Sequence, residues 1–293
     1  MAFLITYLIR IMIYTLATIS ALMFALASAL QHKSAQGADH TKALKPTLVF
    51  TLATKPVWLI GIVADIGGLL FQFAALAEGS VLVVQPILAV GLVFSLVFSA
   101  ALYGKWLSGS EIVLSLITTA GLFGFLRVGI PVKLIDRSSL SSWLIVVAIT
   151  ALLVFGLGTM ALRSLQRKRT VLLSVGAGIL HGVSVSLSKV VSQDFVSLGP
   201  AHLLLDPHVY LLIIVGAADL VVIQSAFQSG PLKDSLPIIS VIEPIVALLI
   251  SVIVLHEHPS ASGLELVVAG LSLTVMLAGV WGLARVTTEH IDL

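Results

Sequence analysis

Apolar residues in this chain come in long blocks rather than in stripes. Nine runs of about 20 predominantly apolar residues fall at approximately 8–30, 57–77, 80–103, 111–130, 142–162, 170–191, 209–228, 235–255 and 262–284, and the short stretches between them hold most of the charges. A helix rises about 1.5 Å per residue, so such a run crosses about 30 Å of hydrocarbon with its backbone groups satisfied internally. The pattern predicts an all-α polytopic membrane protein of nine transmembrane helices. Ten is the alternative, set by the segment around Lys42–Pro56; its apolar part, 47–53, is too short to cross and reads as an interfacial turn of helix. Ala27-Ser28-Ala29 resembles a small-residue cleavage site. However, no Lys or Arg precedes the first run, and that run is longer than a signal-peptide core, so it is expected to stay as a helix.

Composition strengthens this reading. Of 293 residues 58% are hydrophobic and only 10% charged, with a mean hydropathy of +1.13; a soluble domain carries about 25% charged residues to face water. A net charge of +2 leaves no basic surplus for nucleic acid. The chain has no cysteine, which excludes disulfides, zinc–thiolate sites and thiol nucleophiles together.

Lysine and arginine set the orientation. One side collects Lys33, Lys42, Lys45, Lys55, Lys105, Arg163, Arg167, Lys168, Arg169, Lys233 and Arg285; the other has Arg10, Arg127, Lys133, Arg137 and Lys189. The richer side is expected to be cytoplasmic, in a plasma (inner) membrane, with the N-terminus outside and the C-terminus inside.

An internal repeat underlies the nine spans. Val57-Trp58-Leu59 aligns with Val209-Tyr210-Leu211, and the same shift sets Gln72 on Gln224 and Ala74 on Ala226. Gly79 precedes Pro86, and Gly230 precedes Pro237, by the same interval. Gly109-Ser110-Glu111 and Gly263-Leu264-Glu265 each open a span. The chain therefore divides into a first repeat (1–130), a linking helix with its loops (131–169) and a second repeat (170–293). Five spans precede the second repeat, an odd number, so it enters the membrane upside down. Inverted repeats around a midplane solute site are a recurrent transporter plan.

Lys55-Pro56-Val57-Trp58-Leu59-Ile60-Gly61, Gly68, Gln72-Phe73-Ala74-Ala75-Leu76 and Val84-Gln85-Pro86 resemble the first half of the NIPA-type branch of the drug/metabolite transporter superfamily. In the second half, Lys189, Gln224 and Ile242-Glu243-Pro244 followed by Leu255-His256-Glu257 resemble the EamA-type signature. The resemblance implies a transporter fold; NIPA relatives are associated with magnesium, the wider superfamily with metabolites, drugs and lipid-linked sugars. Where the general pattern has an acidic residue after its first proline-containing span, this chain has Gly104-Lys105.

Three carboxylates, Asp65, Asp219 and Glu243, fall near the middles of spans. Each costs about 2.5–3.5 kcal/mol there on insertion scales and so needs a partner, water or a proton. Asp65 shares a helix face with Gly61, Gly68 and Gln72, and Glu243 with Ser240, Ala247 and Ser251, whereas Gln224 falls on a different face from Asp219. Such acids act either as hydrogen-bonded structural links or as the walls of a cavity that binds a cation or cycles protons. His181, on a stretch with Gly178, Gly182, Ser184, Ser186 and Ser188, is either a packing donor or a solute and proton group. Lys189 either snorkels to the interface or pairs with an acid. Pro86, Pro237 and Pro244 are expected to kink or break their helices. His256-Glu257-His258 reads as a solvated turn. There is no P-loop, HExxH or GxSxG, so neither ATP drive nor catalysis is expected, and no cofactor.

The sequence thus favours a secondary transporter that rocks its halves about a cavity lined by Asp65, Gln72, His181, Gln224 and Glu243, carrying a cationic or proton-coupled small solute. A divalent-cation permease, a flippase for lipid-linked substrates and a non-transporting membrane subunit stay open. The bilayer is one partner; a second copy or another membrane protein is left undecided.

Overall fold

A computed structural model describes residues 2–35, 43–104, 106–128, 132–133, 139–230, 232–259 and 263–290. Lys42, Lys105 and Arg137 of the charge map lie outside them. The architecture is all-α: α1 (Ala2–Ala35), α2 (Pro46–Leu52), α3 (Pro56–Glu78), α4 (Val81–Ala89), α5 (Gly91–Tyr103), α6 (Gly109–Arg127), α7 (Leu140–Leu162), α8 (Gln166–Leu198), α9 (Pro207–Ser229), α10 (Leu232–Ile253) and α11 (Leu264–His290). Among the described residues nine segments are long and apolar enough to cross a membrane, α4 and α5 sharing one of them.

Local signals account for the helix starts. Proline opens α2, α3 and α9, where its missing N–H costs nothing. Ser108 and Glu111 form a capping box on α6, and Ser139 caps α7. The expected interfacial turn is the short helix α2, with Leu48 and Leu52 buried and Phe50 exposed. Helices α1 and α8 outrun their apolar blocks because their polar ends are covered by protein: Gln31, His32 and Ser34 on α1, and Lys189 and Ser192 on α8, are buried. Meanwhile Leu144, Ile145, Ile149, Leu152 and Phe155 of α7 point outward. Apolar outside with polar inside is the arrangement a lipid solvent selects.

The packing is paired. Helix α1 lies against α3, α4 and α5, as α8 lies against α9 and α10. Across the middle, α3 meets α8 and α1 meets α9, while α4 meets α10 and α6 meets α11. Each of these contacts thus has a counterpart under exchange of the two halves, whereas those of α7 with α8 and α9 have none. Glycines allow the closest approaches: an added Cβ at Gly61 would sit 2.9 Å from Gln31 Cγ, and one at Gly68 2.8 Å from the Phe24 ring. The small-residue face read around Asp65 is therefore where α1 and α3 touch.

Consecutive crossings also alternate sides consistently. The α3–α4 turn at Gly79 touches Lys189 near the end of α8 and sits beside Glu257 after α10. The loops after α6 and α10 pair as a two-residue antiparallel ribbon, Val132–Lys133 with His258–Pro259. Thr170, at the start of α8, meets Gly230 at the opposite end.

The prolines behave unequally. Pro86 and Pro237 each occupy the sixth position of their helix. The helix carrying Pro86 stops at Ala89 and restarts at Gly91, whereas α10 runs unbroken through both Pro237 and Pro244. The expected breaks at Pro237 and Pro244 do not occur. Each proline deletes one ladder hydrogen bond, and the neighbouring bonds of a 22-residue helix carry the turn. At Val90, by contrast, the amide bonds back to Ile87, a tighter turn followed by a fresh start.

Candidate functional site

A cavity of about 150 Å³ opens between α1, α3, α4, α5, α8, α9 and α10. Its titratable walls are Asp65, His181, Asp219 and Glu243, with Ser28, Gln31, Ser95 and Ser240 as neutral polar groups and Phe24, Leu92, Leu220 and Phe227 among the apolar ones. The three mid-span acids, far apart in sequence, thus share one space.

His181 lies at its centre of charge. Its Nδ1 is 2.7 Å from Asp219 Oδ2, and a carboxylate only accepts, so that nitrogen carries the proton. The Phe24 ring meets the imidazole edge-on, with centroids 6.2 Å apart. The charges of Glu243, Asp219 and Asp65 all act on this one imidazole. Asp65 also takes a 3.4 Å hydrogen bond from Gln31 Nε2. Glu243 is positioned by bare backbone: a Cβ at Gly182 would lie 2.8 Å from its carbonyl oxygen, and one at Gly178 2.7 Å from Ile242 Cβ. Small residues on α8 therefore seat α10 so that Glu243 reaches the cavity beside His181.

Two expected wall residues are not among those lining it. Gln72 follows Asp65 on the same face of α3, but two helical turns, about 10 Å, further along; it is buried at 2% exposure. Gln224 turns away from Asp219 around α9. It accepts from Trp58 Nε1 at 3.2 Å and donates to Gln31, so it braces α1 and α3 behind the cavity.

Lys189 and Glu257 form a second polar centre. Lys189 neither snorkels nor contacts an acid. At 1% exposure it donates to the carbonyls of Leu76 and Gly79, both at 2.7 Å, at the C-terminal end of α3. Glu257, at 2% exposure, accepts from the Val81 and Leu82 amides that begin α4 and from the Ser251 hydroxyl. A cation thus sits on a helix C-terminus and an anion on the next helix N-terminus, each matching the local dipole and its unpaired backbone groups. The expectation of a solvated turn at His256-Glu257-His258 is corrected for Glu257. Its backbone folds inward, with His256 in the left-handed region (φ 52°) and the Glu257 amide bonded to the Ser251 carbonyl.

Burial pushes the Glu257 carboxyl above its ordinary value of 4.5; the Ser251 hydroxyl, the Lys189 charge and the two amides pull it down only in part. A carboxyl with a pKa higher folded than unfolded binds its proton more tightly in the native protein. Native stability then falls as pH rises from the ordinary value through the raised one. Glu257→Gln has no proton to lose. The wild-type melting midpoint should decline relative to that of Glu257→Gln as pH is raised across this window, and parallel melting curves would contradict the buried-acid account.

Gln31 is absent from the sequence reading, and Glu257 enters it only within a signature and a solvated turn, not as a buried group. Gln31 falls just past the end of the first apolar block, and Glu257 sits between histidines in a loop; in both, burial comes from helices distant in sequence. The run Gln31-His32-Lys33, polar yet continuous with a span, was the available signal for the first.

Fold and site together define a polytopic α-helical membrane protein with a charged internal cavity. The chain is similar to an uncharacterized protein of Corynebacterium glutamicum, 29% identical over 276 residues that cover 92% of this chain and 96% of that one. No family model matches the chain, and no solved structure matches it.

Proposed function

We propose that the chain is a secondary transporter of the drug/metabolite superfamily, in its EamA-like, NIPA-type branch, that moves a small cation in exchange for protons. The observation that carries this reading is the convergence of Asp65, Asp219 and Glu243 on one cavity with a single imidazole among them. Three mid-membrane acids would cost about 8–10 kcal/mol unpaired on insertion scales. His181 offsets one; a cation or protons must offset the others, and either can be exchanged for the other. At about 150 Å³ the space equals roughly five waters at ~30 Å³ each. Drug-sized ligands need about 300–1,000 Å³, so the cargo is a small ion or amine. The pairwise exchange of contacts between halves suits inverted repeats that rock about this site, in a plasma membrane with the C-terminus in the cytoplasm.

Purified protein in liposomes loaded with a pH-sensitive dye tests this. An inward gradient of a small monocation such as tetramethylammonium should drive protons outward only when the protein is present. A dye signal equal to that of protein-free liposomes across small mono- and divalent cations would overturn the proposal, and lipid scrambling in the same vesicles would favour a flippase.

A further inference from the structure

Where α7 ends and α8 begins, the chain gathers cations that belong to no part of the cavity. Helix α7 finishes at its C-cap, Arg163; after Ser164 and Leu165 the chain enters α8, whose first turn carries Arg167 and Lys168. The fold brings Lys45 to the same end. Its neighbour Leu44 packs against the cluster of Ala161, Leu173 and Ala226, and its amide donates to Ser225 Oγ at 2.8 Å. A Cβ on Gly158 of α7 would lie 3.6 Å from Leu44 Cδ1. The start of α2 is thereby laid against the last turn of α7, just before Arg163.

Lys45, Arg163, Arg167 and Lys168 are all exposed, and among the described residues no carboxylate pairs with any of them. Lys55, by contrast, is used by the protein, donating to the Ser34 carbonyl at 2.7 Å. The start of α8 is also an unfavourable place for positive charge: its first turn holds no acid, and the helix dipole opposes cations there. Like charges collected without a counter-charge have an anion as their complement. The surroundings say what kind. Leu165, set among the cations, is 89% exposed. Leu152, Phe155 and Leu162, also exposed, share one outward face of α7 that runs about 15 Å and ends at Arg163. A free anion gains nothing from that apolar face, whereas an amphiphile uses both parts.

We propose that Lys45, Arg163, Arg167 and Lys168 bind the headgroup of an anionic phospholipid whose acyl chain lies along Leu162, Phe155 and Leu152 of α7. The guanidinium groups offer paired N–H donors that match phosphate oxygens, and the lysines add point charges. Clustered Lys and Arg directly beside a span are a recurrent means of holding anionic lipid. The lipid would fasten α7, the helix whose contacts with α8 and α9 have no counterpart in the other half, to the bilayer at its junction with the second repeat. The site exists whether or not the cavity carries a solute.

The test uses the full chain in nonionic detergent, freed of co-purified lipid and titrated with phosphatidylglycerol or phosphatidylcholine. Native mass spectrometry counts the lipids bound, and the saturable rise of the melting midpoint gives their affinities. Phosphatidylglycerol should bind roughly tenfold or more tightly than phosphatidylcholine, and each of Arg163→Gln, Arg167→Gln and Lys168→Gln should weaken it about fivefold. The triple variant should lose the preference. Without lipid all four should melt as wild type does, because these exposed side chains have no partner among the described residues. Arg127→Gln, at the far end of α6, removes a cation from the opposite side and should leave the preference intact. Equal binding of the two lipids by wild type overturns the site, as does a preference that survives in the triple variant. So does displacement of phosphatidylglycerol by equimolar inorganic phosphate, which would make the turn a site for the free anion. An equal loss in Arg127→Gln overturns it too, by reducing the preference to net charge.

Discussion

Glu243→Gln should lower proton-coupled transport at least tenfold while leaving the melting midpoint nearly unchanged. The amide keeps the shape of the side chain and can still hydrogen-bond, so packing against Gly178 and Gly182 is undisturbed. What disappears is the exchangeable charge beside His181. Pro244 adds to the local effect: lacking an N–H, it leaves the Ser240 carbonyl without its usual helix partner, so that carbonyl, the Ser240 hydroxyl and the Glu243 carboxylate are all available to one cation or water cluster. Glu243→Ala separates the roles, since truncation should lower the midpoint as well as transport. Asp219→Asn is the companion change, removing the acid that fixes the His181 tautomer. Both variants are measured in liposomes with an imposed pH gradient, alongside melting curves. Full transport by a well-folded Glu243→Gln protein would remove this residue from the mechanism.

Lys189→Met is expected to have the largest effect on stability, about 3 kcal/mol or more. It strips two carbonyls at the end of α3 of their donor inside the protein, and each orphaned buried group costs about 1–3 kcal/mol. It also leaves the Glu257 carboxylate without the nearby cation that favours its charge. The two side chains act on opposite ends of one turn, so a double-mutant cycle with Glu257→Gln should be non-additive by about 0.5–3 kcal/mol. Additive losses would show that the two caps work independently.

The span count was legible because a lipid-crossing helix writes its length directly into the sequence, and the mid-span acids stood out because hydrocarbon makes them expensive. Side-chain depth along a shared face was not legible. Gln72 follows the periodicity of Asp65 faithfully and still lies beyond the cavity, because helical phase says which face a residue is on and not where the opposing helices part. Lys189 offered two readings, interface or ion pair, and took a third, the carbonyl end of a helix far away in sequence. Gln224 matched Gln72 in the repeat and shares its burial, yet its partners, Trp58 and Gln31, come from the other half. Backbone groups as partners leave no trace in residue type, and so the second polar centre stayed hidden.

The unequal fate of Pro86 and Pro237 bears on how the halves can move. Two helices meet, α4 against α10, with a proline at the sixth position of each. One is interrupted at Val90 and restarts at Gly91, and the other runs without interruption from Leu232 to Ile253. A load applied across such a pair does not divide evenly: the compliant member takes up the deformation and the stiff one transmits it. In the proposed transporter, rocking would be hinged on one side, with α10 as the lever that carries Glu243 and α5, beyond the interruption at Val90, bringing Leu92 and Ser95 to the cavity wall. Two halves built on one plan would serve as different machine parts, distinguished by a single restart of the helix.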